Sequence, residues 1–151
     1  MAVEFQASKT RENLMRAFAG ESQARNRYTI AADTARKQGL YSIEQVFLFT
    51  ADQERAHAER FYGLLKNLSG TTIEISGGYP VDHSDDVAEL LKKAEHNEKE
   101  EADDVYQAFG NVAKEEGFLE AASAFFQIAE VEAIHGRRFG KLSELLEQNK
   151  Y

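Results

Sequence analysis

Hydrophobic residues recur every three or four positions along most of the chain, the spacing of one face of an α-helix, and the pattern falls into four long segments. The first runs from about Thr10 to Lys37, with Ser8 or Thr10 as N-cap and a stripe of Leu14, Ala17, Phe18, Ala24, Tyr28, Ala31 and Ala35. The second, about Ser42 to Leu68, carries Phe47, Ala51, Ala58, Phe61 and Leu65. The third, about Ser84 to Glu116, carries Leu91, Ala94, Ala102, Val105, Phe109 and Val112. The fourth, about Leu119 to Glu147, carries Phe125, Ile128, Ala129, Phe139, Leu142 and Leu146. Gly39 and Gly117 stand where the first and third helices should stop, each suited to a left-handed C-cap, so each flanking pair of helices is predicted to form an antiparallel hairpin. The only long connection is Ser69 to His83, with a short extended piece expected at Thr71 to Ile75. Fully extended, it spans roughly 50 Å, more than the roughly 38 Å of a helix of about 25 residues, so it can cross a bundle from end to end.

The polar interruptions of the stripes form a pattern of their own. Glu54-x-x-His57 and Glu132-x-x-His135 lie 78 residues apart; Glu21 precedes Glu54 by 33 residues, and Glu98 precedes Glu132 by 34. At the same offset of 78, Gly39 matches Gly117, Ala35-Arg36 matches Ala113-Lys114, Phe47 matches Phe125, and Arg60-Phe61 matches Arg138-Phe139. Leu64 and Leu68 likewise match Leu142 and Leu146. The natural reading is a duplicated hairpin packed about a pseudo-twofold axis. Residues i and i+3 share a helix face, so each Glu–His pair can reach one point. Two such pairs and two single Glu residues make the inward-facing ligand set of a di-iron or di-manganese carboxylate bundle.

Burying four to six carboxylates without cations would cost several kcal/mol apiece, more than the net stability of a domain. Either this stripe binds metal or the helices face water; the apolar residues around each Glu favour metal. Hard carboxylate oxygens mixed with imidazole favour iron or manganese, with zinc an alternative in purified protein. Tyr28, seven residues after Glu21, and Tyr106, eight after Glu98, fall on the ligand face, where their hydroxyls can donate to coordinating carboxylates; core packing is the competing reading. Glu101, one turn after Glu98, breaks the symmetry, since its repeat partner is Ala24. Glu95 is a weaker substitute one turn before Glu98. His83 falls in the loop and His96 on another helical face, and Asp52 and Glu130, which match across the repeat two residues before a ligand, are read as solvated outer-face residues, with a supporting contact to the ligands as the alternative.

With 151 residues, a single domain spanning residues 1–151 is expected, large enough for a core. The chain has no Cys, which excludes disulfides, Cys-ligated zinc and iron–sulfur chemistry. A net charge of −8 speaks against nucleic acid. No apolar run reaches membrane-spanning length and the N-terminus shows no signal-peptide pattern, so a cytoplasmic location is expected.

Four stretches carry a family resemblance: Asn13-Leu-x-x-Ala-Phe-Ala-Gly-Glu-Ser-Gln-Ala-Arg25, Ala51-Asp-x-Glu-x-Ala-His57, Ala113-Lys-Glu-Glu-Gly-Phe118 and Ile128-Ala-Glu-x-Glu-x-x-His135. Together they resemble the ferritin-like domain of rubrerythrin over nearly the whole chain. The resemblance implies an all-α, ferritin-like four-helix bundle of two antiparallel hairpins joined by a long crossover loop. It also implies two iron ions (Fe2+/Fe3+), oxo- or hydroxo-bridged, held by Glu21, Glu54, His57, Glu98, Glu101, Glu132 and His135, with Glu54 and Glu132 bridging. The resemblance further implies that one iron is bound through Glu101 when oxidised and shifts toward His57 when reduced. The implied activity is reduction of hydrogen peroxide to water in oxidative-stress defence, with Glu101, His57, Tyr28 and Tyr106 as the residues that serve it. Rubrerythrins usually continue into a rubredoxin-like domain with four Cys. This Cys-free chain resembles either short relatives without that domain or a piece of a longer protein, and in both cases an external electron donor, such as a rubredoxin-like protein, is required. A homodimer is expected, and the long crossover leaves a domain-swapped arrangement open. The rival readings are a ferroxidase or iron-storage protein, and an interaction module without metal.

Overall fold

The computed structural model describes residues 3–150. Its helices are α1 (Lys9–Lys37), α2 (Tyr41–Gly63), α3 (Val87–Glu100), α4 (Tyr106–Glu116) and α5 (Leu119–Glu147). Single turns of 3-10 helix lie at Phe5–Ala7 and Lys66–Leu68. A π-helical turn, Glu101–Val105, joins α3 to α4, so the two form one rod. α1 packs along α2, the α3–α4 rod packs along α5, and the two hairpins face each other to make an all-α, ferritin-like bundle.

Local chemistry sets the boundaries. Ser8 caps α1, accepting from Arg11 N–H at 3.0 Å. Thr10 lies inside the helix, where its N–H donates to Glu116 at 2.8 Å and ties the start of α1 to the end of α4. α3 begins at Val87, three residues after the expected Ser84, because Asp86 is its cap and accepts from Glu89 N–H at 3.2 Å. α2 stops at Gly63 and tightens into the 3-10 turn instead of running to Leu68. Gly39 and Gly117 are left-handed, with φ of 75° and 89°. Beyond them Leu40 N–H donates to Ala35 C=O at 2.9 Å and Phe118 N–H to Ala113 C=O at 2.8 Å, so the duplicated hairpins end their first helices with the same cap.

The connection from Ser69 to Asp86 is longer than the expected loop, and residues 71–75 take no strand conformation. It runs along α1: Arg16 Nε donates to Ser76 C=O at 2.9 Å, and Gln38 Nε2 donates to Asp85 C=O at 2.6 Å. Asn97 Nδ2 donates to Asp82 at 2.8 Å and fastens the same segment to α3.

The apolar core is divided in two. One cluster, including Ile43, Phe47, Leu91 and Phe139, fills the end near the Gly39 turn; the other, including Leu14, Phe61, Ala113 and Phe125, fills the opposite end. Tyr28 belongs to the first and Tyr106 to the second, and the buried carboxylates lie between. We expect Gly117→Ala to lower stability by about 1–2 kcal/mol through the left-handed backbone it must adopt, read as a shift of the urea unfolding midpoint with unchanged denaturant slope.

Candidate metal centre

Glu21 on α1, Glu54 on α2 and Glu132 on α5 have no exposed surface, and Glu98 on α3 and His135 on α5 show 1%. Two groups converge, Glu21, Glu54, His57 and Glu132 on one side and Glu54, Glu98, Glu132 and His135 on the other, with the ligand atoms of each group within 4.8 Å of one another. Glu54 and Glu132 belong to both, the placement a bridging carboxylate needs. His57 Nδ1 is 3.0 Å from Glu132 Oε1, and His135 Nδ1 is 3.2 Å from Glu54 Oε1 and 3.3 Å from Glu98 Oε1. All six side chains of the two groups come from one chain here.

The two tyrosines cross the bundle. Tyr28 Oη donates to Glu98 Oε1 at 3.0 Å, and Tyr106 Oη donates to Glu21 Oε1 at 2.7 Å. Each reaches from the apolar cluster at its own end to a carboxylate on the other hairpin. Burial, with the nearby carboxylates adding to it, pushes both phenols well above their ordinary value, so they remain hydrogen-bond donors.

Glu101 occupies the first position of the π turn, and its Oε2 is buried without a hydrogen-bond partner. It stands outside the two convergent groups, at the inner wall of a cleft of about 250 Å3 that it shares with Tyr106, Gly20 and the crossover residues Gly77–Pro80. Glu95 is turned away and pairs with Lys99 at 3.2 Å. His83 in the crossover and His96, Asp52 and Glu130 on outer helix faces are exposed.

The π turn and the partners of His135 were not anticipated from the sequence. A π turn holds one residue more than an α turn, and the repeat contains that residue: Glu21 to Tyr28 is seven positions and Glu98 to Tyr106 is eight. The insertion is absorbed at 101–105, so Tyr106 keeps its register while Glu101 is turned toward the centre. His135 Nε2 is 2.7 Å from Gln53 Oε1, and Arg138 reaches both Thr50 and Gln53. The sequence marks Arg138 only as the repeat match of Arg60, and carries no signal for Gln53.

These carboxylates are too many for a pocket without cations. Burial pushes Glu54 well above the usual carboxylate range, and the facing Glu21, Glu98 and Glu101 push the same way. Burial raises Glu101 likewise, reinforced by Glu98 and Glu21. Burial also raises Glu98, against the opposing pull of His135 and the Tyr28 hydroxyl. Both oxygens of Glu54, one each of Glu21, Glu98, Glu101 and Glu132, and His135 Nδ1 are buried with no hydrogen-bond partner. Orphaned acceptors of this kind are rare in native cores. Hard oxygens with imidazole nitrogen facing one pocket are the donor set for two iron or manganese ions.

The rubrerythrin family model matches residues 12–143. The chain belongs to the rubrerythrin family. It is 48% identical over 144 residues to the rubrerythrin of Clostridium perfringens, covering 95% of this chain and 74% of that one. It is 47% identical over 139 residues to the rubrerythrin of Porphyromonas gingivalis, covering 92% and 68%. A solved structure of nigerythrin in its fully reduced, all-ferrous state superposes with a TM-score of 0.81 at 30% identity, covering 93% of this chain and 71% of that one. Symerythrin from Cyanophora paradoxa shares the fold, with a TM-score of 0.77 at 23% identity over 97% of this chain and 88% of that one. Rubrerythrin family membership and the carboxylate–histidine pocket together support a ferritin-like di-iron protein of the oxidoreductase type.

A carboxyl whose folded-state pKa lies above its unfolded value withdraws stability as pH rises from the unfolded pKa through the folded one. Glu54, Glu98 and Glu101 are of this kind, with an ordinary value of 4.5. Glu116 acts oppositely and only below that value, because bonds from Thr10 and Lys9 outweigh the upward pull of burial. Metal-stripped protein is therefore expected to lose stability as pH is raised from about 5 to about 8, while metal-loaded protein loses much less. Urea unfolding of both forms across that range measures it, and a flat or rising curve for the stripped form would contradict the shared burial of these carboxylates.

Proposed function

We propose that the protein is a non-haem di-iron peroxidase that reduces hydrogen peroxide to water in oxidative-stress defence. The overall change takes up two electrons and two protons per peroxide and releases two waters, with the electrons arriving from an external donor such as a rubredoxin-like protein. The observation that carries this reading is Glu101: a surplus buried carboxylate, set on a π turn at the inner wall of a cleft beside the centre. A bundle that only stores or buffers metal has no need of it.

Two iron ions held by Glu21, Glu54, His57, Glu98, Glu132 and His135 would supply the two electrons, one from each ion. The chain contributes the rest. The cleft of about 250 Å3 admits a molecule the size of peroxide, and the crossover residues Gly77–Pro80 cover it against bulky substrates. Glu101 presents an oxygen to that cleft and can exchange a proton with what enters. The hydroxyls of Tyr28 and Tyr106 hold Glu98 and Glu21 in orientation from opposite ends. The two apolar clusters keep bulk water from either end of the layer. Glu101 and His57 both lie near Glu21; His57 Nδ1 is 3.0 Å from Glu132, and its Nε2 has no hydrogen-bond partner among the described residues.

Among the described residues no helix is long and apolar enough to cross a membrane; a cytoplasmic homodimer is the setting that accompanies this reading. Anaerobic stopped-flow of reduced, iron-reconstituted protein tests it. Oxidation is expected to be much faster with peroxide than with O2, with two irons oxidised per peroxide. A comparable or faster reaction with O2, followed by uptake of many irons per chain, would make the protein a ferroxidase instead. Glu101→Ala should keep the fold and most of the iron but slow the peroxide reaction by at least about tenfold, and unchanged kinetics in iron-replete Glu101→Ala would remove its role. Glu54→Ala should be more damaging and lower the bound iron itself, since Glu54 belongs to both halves of the centre.

A further inference from the structure

The two histidines related by the internal repeat sit in unlike surroundings. His135 Nε2 lies 2.7 Å from Gln53 Oε1. The same oxygen is 3.4 Å from Arg138 Nη2, which also donates to Thr50 Oγ1 at 2.9 Å. Thr50 in turn donates its hydroxyl hydrogen to Val46 C=O at 2.8 Å, leaving its oxygen free to accept from Arg138. An amide oxygen that faces a guanidinium is an acceptor, so His135 Nε2 carries the proton and donates. The lone pair of His135 is then on Nδ1, the nitrogen facing Glu54 and Glu98.

His57 has none of this. Its side chain is 13% exposed, its Nδ1 faces Glu132, Glu54 and Glu21, and its Nε2 has no partner among the described residues. The duplication shows why. At the offset of 78, the counterpart of Gln53 is Val131, that of Thr50 is Ile128, and that of Arg138 is the exposed Arg60. Apolar side chains replace the groups that could have held the second ring.

We propose that Gln53, itself held by Arg138 and Thr50, is a positioning residue that fixes the tautomer and orientation of His135 and so makes the two metal positions unequal. The position at Glu98 and His135 fills first and more tightly; the position at Glu21 and His57 fills second and more loosely. The inference rests on the metal reading of the pocket. A histidine that donates its other N–H to a fixed acceptor is a better-oriented and more basic ligand, and loss of that acceptor typically costs about 10- to 100-fold in metal affinity.

Titration of the chelator-stripped 151-residue chain with Co2+, followed by visible absorbance, tests this separately from turnover. The native chain is expected to take up two Co2+ in two steps at least about tenfold apart. Gln53→Leu should weaken the tighter step by about 10- to 100-fold and leave the other. Gln53→Glu, which keeps the acceptor, should retain the tighter step. Arg138→Met, which leaves Gln53 in place but frees its amide, should weaken the same step and serves if Gln53→Leu does not fold by circular dichroism. Two equal steps in the native chain, equal weakening of both steps in Gln53→Leu, or Gln53→Leu and Arg138→Met curves superimposing on the native one would each overturn the proposal. No Co2+ uptake by the native chain would overturn the metal reading itself, and this proposal with it.

Discussion

The structure depends on a layer of carboxylates at mid-height of the bundle that has no cation of its own. Glu21, Glu54, Glu98 and Glu132 are closed off from water, and among the described residues no Lys or Arg hydrogen-bonds to them. Net stability of such a domain is on the order of 5–15 kcal/mol, and each unpaired buried charge costs several. The rest of the chain is arranged around that constraint. Small residues one turn either side of each ligand, Ala17 and Ala24, Ala51 and Ala58, Ala94 and Ala102, Ala129 and Gly136, keep the helices close and leave space only for the carboxylates. The aromatic bulk is moved to the two ends, where it stabilises the bundle without entering the layer.

Duplication explains the framework, and departures from duplication explain the chemistry. A symmetric bundle would hold two equivalent metal ions in a closed pocket. This chain adds a residue at the π turn, which presents Glu101 to a cleft on one side. It also places Gln53, Thr50 and Arg138 around one histidine and Val131 and Ile128 at the corresponding places for the other. The second of these departures leaves His57 without the side-chain partners that His135 Nε2 has.

Much of this was legible in the sequence because ligand spacing and apolar spacing share one helical period. Glu54 and His57, Glu132 and His135, the two capping glycines and the two tyrosines could all be placed from their intervals. What could not be placed obeys other rules. The π turn sits within a run that still reads as helical, since Ala102 and Val105 fit either register; its trace is a single residue of difference between the half-repeats. Gln53 lies on a partly exposed face, and its partner His135 is 82 residues away, so no local pattern joins them. The ends of α2 and the start of α3 were set by single caps and turns, which hydrophobic periodicity does not encode.

The crossover segment is attached differently from the ligands. It is held to the helices by side-chain hydrogen bonds from Arg16, Gln38 and Asn97 and by the Tyr79 hydroxyl on Arg16 C=O, with no ladder of its own. The ligands are carried on helices whose backbone bonds break only when the bundle does. The outer wall of the cleft and the carboxylate layer are thus secured by different kinds of contact, and segments with few backbone hydrogen bonds are the ones that open locally at low cost. If that segment lifts, access to the carboxylate layer becomes a rate that mutation of Gly77, Gly78 or Tyr79 would tune while the carboxylate and histidine positions stay as they are.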